Sequence, residues 1–315
     1  MTTPATSMAE AVTQEVLKAG IIKFVAGASI EITPHDEARL PEVAAYLSPG
    51  ATVYIAHPPR RQLPDVVRLA IKVQKLGFLA RPHILSRELQ SERHLRSALT
   101  ELNAAGIEQI LLVAGDQNFA AGPFPSTLEV LNTGATVDCG IKIVGVAGHP
   151  EGHPVIGPSL LWDALRIKQS FAERTGIEVQ VVTQFGFNPQ ALFDWQRHAH
   201  ELDISLPVHV GIAGPTPLPK LIHFAMQCGI GASLRTLMKS TSALTHLARV
   251  TSTPEEMLVG LVCGCEARDA ATIVKPHFYC FGGSLETARW LRTMAEGSFE
   301  LNQDCSRFKV SKEAS

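Results

Sequence analysis

The chain has 315 residues, of which 45% are hydrophobic and 18% charged, with a formal net charge of −2. That charged share lies below the roughly 25% of an average soluble domain, which excludes a disordered chain; the missing basic excess argues against nucleic acid as a partner. So little charge on so long a chain implies extensive burial, and a homo-oligomeric interface is expected to account for part of it.

The first residues, Met1–Lys18, are polar and rich in small side chains, without the charged-then-apolar plan of a signal peptide. The longest apolar runs, such as Ile110–Ala114 and Val179–Val182, fall far short of the about 20 residues that cross a bilayer, so no membrane association is expected. Cys139, Cys228, Cys263, Cys265, Cys280 and Cys305 read as reduced thiols rather than a disulfide framework, consistent with a cytoplasmic setting.

Short, β-branched apolar runs recur along the chain. Strands are expected at Lys23–Ile32, Ala51–Ala56, Phe78–Leu85, Gln109–Ala114, Ile143–Ala147, Val179–Phe185, Val208–Ile212 and Pro276–Phe281. Each is nearly continuously apolar, as strands covered on both faces of a parallel sheet should be. Helical spacing fills the intervals, for instance Pro64–Lys75 and Arg93–Leu102, and Gly77, Gly106 and Gly176 stand where left-handed caps are wanted. The long gap between the seventh and eighth strands has room for extra helices at Leu218–Gln227, Ser233–Leu247 and Pro254–Ala267. Strand–helix alternation repeated this often has one economical solution, an α/β fold forming a single (β/α)₈ TIM barrel, with an open doubly wound sheet as the alternative. The expected division is an N-terminal extension or helix over 1–20, a catalytic barrel over 21–300 and a tail over 301–315.

A barrel builds its active site at the C-terminal ends of its strands. Those ends carry Glu31, His57, His83, Asp116, His149, Gln184, Gly214 and the pair Gly282–Gly283. Glu31 interrupts an apolar strand. It is either a structural ion pair with an Arg or Lys at the mouth, or a buried carboxyl whose raised pKa makes it a general acid. Asp116 follows Gly115, where a ligand can approach the backbone, though an Asx-turn would place the same residues there. His149-Pro150-Glu151-Gly152-His153-Pro154 resembles a metal motif, but two prolines and a glycine keep its histidines off a shared helical face, so no metal is expected. Gly229–Ser233 and Gly282–Ser284 are small-residue loops of the kind that cradle phosphate, or simply turns. Lys23, Lys142 and Lys275 lie at or before strand starts, which removes a Schiff-base aldolase from consideration.

Taken together, Ser29-Ile30-Glu31-Ile32-Thr33-Pro34, Arg81-Pro82-His83, Ala114-Gly115-Asp116, the His149–Pro154 run, Thr183-Gln184-Phe185-Gly186-Phe187, Gly211-Ile212 and His277-Phe278-Tyr279 resemble the methylenetetrahydrofolate reductase family. The likeness runs from about Ser29 to Phe281. It implies a flavoprotein oxidoreductase of one-carbon metabolism and methionine biosynthesis. Such an enzyme interconverts 5,10-methylene- and 5-methyltetrahydrofolate with FAD as cofactor and NADH or NADPH as hydride partner. By the same resemblance Glu31, Asp116 and Gln184 are catalytic, with Glu31 the acid that opens the folate ring. Cofactor contacts fall on His57, His83, Gly115, Asp116, Phe124, His149, His153 and Lys168. Substrate contacts fall on Asp116, Gln184, Lys220, Phe224 and Tyr279. The sequence departs from the family pattern at Ala114, His149, Gly186, Asn188, Lys220 and Gly283. Those departures keep two alternatives open, a flavin-independent reductase and a non-catalytic folate-binding homologue.

Overall fold

Two periodicities compete in the first thirty residues, and the helical one wins. The computed structural model describes residues 4–230, 251–267 and 272–310. In it a helix, α1, spans Pro4–Ala26 and the first strand is confined to Ser29–Ile32. The strand expected over Lys23–Ile32 is therefore short by six residues, and Lys23 lies on a helix. The apolar residues from Phe24 to Ile32 suit a strand by composition, but Leu17, Ile21 and Val25 recur every four residues and all three are buried. The helix packs on two others near the end of the chain, which overrides the modest cost of β-branched residues in a helix.

The strands are β1 (Ser29–Ile32), β2 (Thr52–Ile55), β3 (Leu79–Leu85), β4 (Gln109–Val113), β5 (Ile143–Gly148), β6 (Glu178–Thr183), β7 (Val208–Ala213) and β8 (Ile273–Tyr279). They form a closed barrel of parallel neighbours in which β1 pairs with both β2 and β8. The (β/α)₈ expectation holds. Connecting helices include α2 (Leu40–Ala44), α3 (Leu63–Lys75), α4 (Glu92–Ala104), α5 (Thr127–Asn132), α6 (Ala135–Asp138), α7 (Pro158–Thr175) and α8 (Pro189–Glu201). After β7 come α9 (Leu218–Gln227) and α10 (Glu255–Ala267), and α11 (Ser284–Ala295) follows β8. Two of the three extra helices expected between β7 and β8 are thus present; Ser233–Leu247 lies outside the described residues. No described helix is long and apolar enough to cross a membrane.

Local signals explain where helices begin. Gln62 and Asp65 form a capping box at α3, Ser91 accepts the His94 N–H at α4, and Ser126 with Glu129 caps α5. Gly77, Gly106 and Gly176 all take positive φ after their helices. Near the C-terminus Phe299–Leu301 pairs antiparallel with Phe308–Val310, and Phe299 and Phe308 are buried.

The strands are not apolar on both faces. One set of alternating residues, among them Ile30, Ile32, Val53, Ile55, Ile110, Leu112, Val144, Val146, Val208, Val210 and Ile212, joins the main core under the helices. The other set faces the barrel axis and is largely polar. Across that axis the Arg81 Nη1 on β3 donates to Gln180 Oε1 on β6 at 2.8 Å and to Tyr54 Oη on β2 at 2.7 Å. Its Nε and Nη2 donate to Gln109 Oε1 at 3.0 and 2.6 Å. Arg81 is 2% exposed. A buried guanidinium persists only because its donors find acceptors in a planar fork. Tyr54, Leu111 and Val182 form a small apolar plug beside this network.

Candidate active site

β1 delivers Glu31 to the mouth, opposite Tyr54 in the parallel register. Its side chain is 16% exposed, and Oε2 lies 3.5 Å from His83 Nε2. Burial, reinforced by the nearby Asp36 carboxylate, pushes the Glu31 carboxyl up to about 8. The acid is therefore protonated at neutral pH. An ion pair with Arg or Lys, the structural alternative, is not what surrounds it. His83 is held down to about 3 by burial and by His57, so its imidazole is neutral.

Asp36 was not foreseen. Its Oδ2 accepts from the Thr33 N–H at 2.9 Å and the Thr33 hydroxyl at 2.8 Å, while Ser284 Oγ donates to Oδ1 at 2.5 Å. Ser284 is the first residue of α11, so the chain's own carboxylate stands at the helix start that the Gly282–Ser284 loop offered to a phosphate. Thr33 and Asp36, three apart just after a strand, were the available signal.

Of the three expected catalytic residues, Gln184 bonds to the Cys228 thiol at the C-terminal end of α9, while Glu31 and Asp116 act on it only through charge. Burial together with those two carboxylates lifts the thiol to about 11, which makes it a poor nucleophile. Gln184 Oε1 accepts the Phe185 N–H at 3.1 Å, leaving its amide nitrogen as the outward donor. Asp116 itself is exposed, and its carboxylate makes no hydrogen bond among the described residues, so the Asx-turn alternative finds no support.

The expected cofactor positions fall into two groups. His57 is pinned: its Nε2 lies 2.9 Å from the Arg61 carbonyl and 3.1 Å from Glu88 Oε2, which makes that nitrogen the donor. Its Nδ1 and the Nε2 of His83 are buried with no hydrogen-bond partner. On the other side, His149 and His153 meet edge to face with centroids 5.0 Å apart. His153 Nδ1 accepts the N–H groups of Val155 and Ile156 at 3.2 and 3.1 Å. Lys168 is 7% exposed on α7, and burial lowers its ammonium to about 8. Burial, His153 and Lys168 together hold His149 down to about 4. Gly115 takes φ +87 at the turn before Asp116, a conformation that favours glycine. Phe124 is buried in the main core. No group of three or more His, Cys, Asp or Glu that could hold a metal occurs among the described residues.

Two of the five expected substrate contacts, Phe224 and Tyr279, lie on an aromatic wall. Phe224 stacks on Phe281 at 4.7 Å, and Phe281 stacks in turn on Tyr279 at 6.1 Å. Tyr279 Oη donates to the Thr183 carbonyl at 3.0 Å. Its ring passes so close to Gly211 that a Cβ there would meet Tyr279 Cε2 at 2.8 Å and the Thr183 carbonyl oxygen at 2.3 Å. Phe281, another residue not foreseen, takes φ +47, a strained conformation for a bulky side chain. Lys220 is exposed one turn before Phe224, and its Nζ lies over Gly282. A narrow cleft of about 20 Å³ lies beside Gln184, bounded by Pro150–Gly152, Asn188 and Met257.

These features define a (β/α)₈ barrel with a polar, partly aromatic site at the C-terminal mouth of its strands, the face where such barrels carry their chemistry. No protein-family model matches the sequence. Among solved structures, dihydropteroate synthase from Thermus thermophilus is 14% identical and aligns over 83% of this chain and 90% of its own, with a TM-score of 0.40. A conserved protein of unknown function from Enterococcus faecalis is 11% identical over 87% of this chain and 67% of its own, with a TM-score of 0.45. At such identities activity does not transfer with fold.

Proposed function

We propose that this barrel reduces a one-carbon-bearing tetrahydrofolate, interconverting the 5,10-methylene and 5-methyl forms with NADH or NADPH. The observation that carries the reading is the buried Glu31 carboxyl at the end of β1, its Oε2 3.5 Å from His83 Nε2 and its pKa raised to about 8 by burial and Asp36. A neutral carboxylic acid can donate to a ring nitrogen of the substrate and open its five-membered ring, and a depressed His83 does not compete for that proton. Asp116 accepts from the N–H-rich edge of the pterin, and Gln184, with its carbonyl committed to Phe185, donates. The Phe224–Phe281–Tyr279 wall supplies flat apolar surface for aromatic rings.

The residues fit a bound FAD. The buried ammonium of Lys168, within charge range of His149, suits an anionic pyrophosphate, and the orphaned His57 Nδ1 and His83 Nε2 are polar atoms that a ligand could satisfy. When bound, a flavin would supply hydride transfer; the chain supplies the proton, the orientation and the exclusion of water. Ala114 and Gly186 leave two positions of the mouth nearly without side chains, which favours direct transfer from the nicotinamide as a second reading.

The test is turnover of 5,10-methylenetetrahydrofolate by purified protein with each nicotinamide, alongside its visible spectrum. Turnover by yellow protein supports the flavin reading and turnover by colourless protein the direct one. Folate binding without turnover under any combination would leave a binding module and sink the reductase.

A further inference from the structure

The loop that carries Asp116 is fastened from one side by the turn after β3, with most of its side-chain bonds made by one arginine. Arg87 sits in the turn Ser86–Glu88 directly after β3. Its Nε donates to the Pro125 carbonyl at 2.9 Å, and its Nη1 donates to the Gln117 carbonyl at 2.9 Å and the Gly115 carbonyl at 3.3 Å. Gly115 and Gln117 are the two residues that flank Asp116. The main chain adds two bonds: the Arg87 N–H donates to the Ala114 carbonyl at 3.1 Å, and the Ala121 N–H donates to the Arg87 carbonyl at 2.7 Å. Next to it, Glu88 accepts from Gln117 Nε2 at 3.2 Å. The loop also presses against this turn, since a Cβ on Gly122 would stand 2.4 Å from the carbonyl oxygens of Leu89 and Gln90.

Among the described residues, no side chain bonds to the Asp116 carboxylate, so its direction is inherited from the backbone on either side. His153 feels Arg87 and Asp116 with opposite signs, which puts both within charge reach of the same imidazole at the mouth. We propose that Arg87 is the positioning residue that aims Asp116 into the site. A planar fork can span the Pro125 carbonyl and the Gly115/Gln117 pair at once. A lysine of equal charge has its donors on one nitrogen and cannot.

For its kinetic consequence, though not for the clamp itself, the proposal rests on Asp116 contacting substrate. The experiment therefore has two arms on the full-length protein. In the first, amide hydrogen exchange is compared between wild type and Arg87→Lys. Exchange in peptides covering 114–121 is expected to rise about tenfold or more with the rest of the barrel unchanged. Unchanged exchange in that loop overturns the proposal, and so does a rise throughout the barrel, which would make Arg87 a general support of the fold. In the second, KM for methylenetetrahydrofolate is expected to rise about tenfold in Arg87→Lys and in Asp116→Asn, and by little more in the double variant. KM for the nicotinamide should not move. Losses that multiply in the double variant, or an Arg87→Lys protein with wild-type kinetics, overturn the clamp's role in the site. If wild type turns over no folate, the reductase reading falls, while the exchange arm still decides the clamp.

Discussion

Glu31 makes a demand on stability that its proposed role explains, and Glu31→Gln isolates it. An ordinary glutamate would titrate at 4.5, whereas burial and Asp36 hold this one at about 8. The folded state therefore keeps a proton that the unfolded chain releases. Below pH about 4.5 both states are protonated and the residue costs nothing. As pH rises through 4.5 the unfolded state ionises first and stability falls, until the folded state ionises too near pH 8. At about 1.36 kcal/mol per pH unit, the loss at pH 7.5 is about 4 kcal/mol; the 16% exposure of the side chain lets water recover part of it, giving about 2–4 kcal/mol. Glutamine has nearly the same shape and no proton to lose. Urea denaturation of both proteins between pH 4 and 9 is the assay. The variant should match wild type at pH 4 and exceed it by about 2–4 kcal/mol at pH 7.5, while losing folate turnover. The wild-type rate should fall above about pH 8, where the acid ionises. A stability difference that does not change with pH, or a variant less stable throughout, would refute the reasoning.

Two further outcomes follow from buried cations. Lys168, depressed to about 8 from an ordinary 10.5, burdens the fold at neutral pH, and that burden fades as pH rises from 8 to 10.5. Lys168→Met should therefore raise the melting temperature below pH 8, and inorganic pyrophosphate should stabilise wild type but not the variant; equal stabilisation of both would remove Lys168 from any anion site. Arg81→Met strands the acceptors on Tyr54, Gln109 and Gln180 inside the barrel, and a loss of about 3 kcal/mol or more is expected in the same urea assay. Wild-type stability in that variant would show the network to be dispensable.

Much of the barrel was legible from local pattern. The outward halves of the strands, Ile110 and Leu112 or Val208 and Val210, are apolar because helices cover them, and that alternation survives in a single sequence. Glu31 was legible for the same reason, as a carboxyl in a run where only burial is expected. The inward halves were harder to read. Arg81, Gln109 and Gln180 look like isolated polar residues in three separate segments, and only closure of the sheet puts both glutamines within 3.0 Å of the one guanidinium. Lys23–Ala26 is helical despite its apolar composition, because the four-residue spacing of Leu17, Ile21 and Val25 buries one face of α1.

By itself the sequence determined the strand–helix alternation, the caps and the residue types at the strand ends, because each depends on neighbours a few positions away. The tertiary structure alone decided that Asp36 stands by Glu31, that Ser284 bonds to Asp36, and that Arg87 grips the loop of Asp116. Those contacts depend on how separate segments are brought together, and no local propensity encodes them; they exist only once the barrel has closed and its loops share one rim.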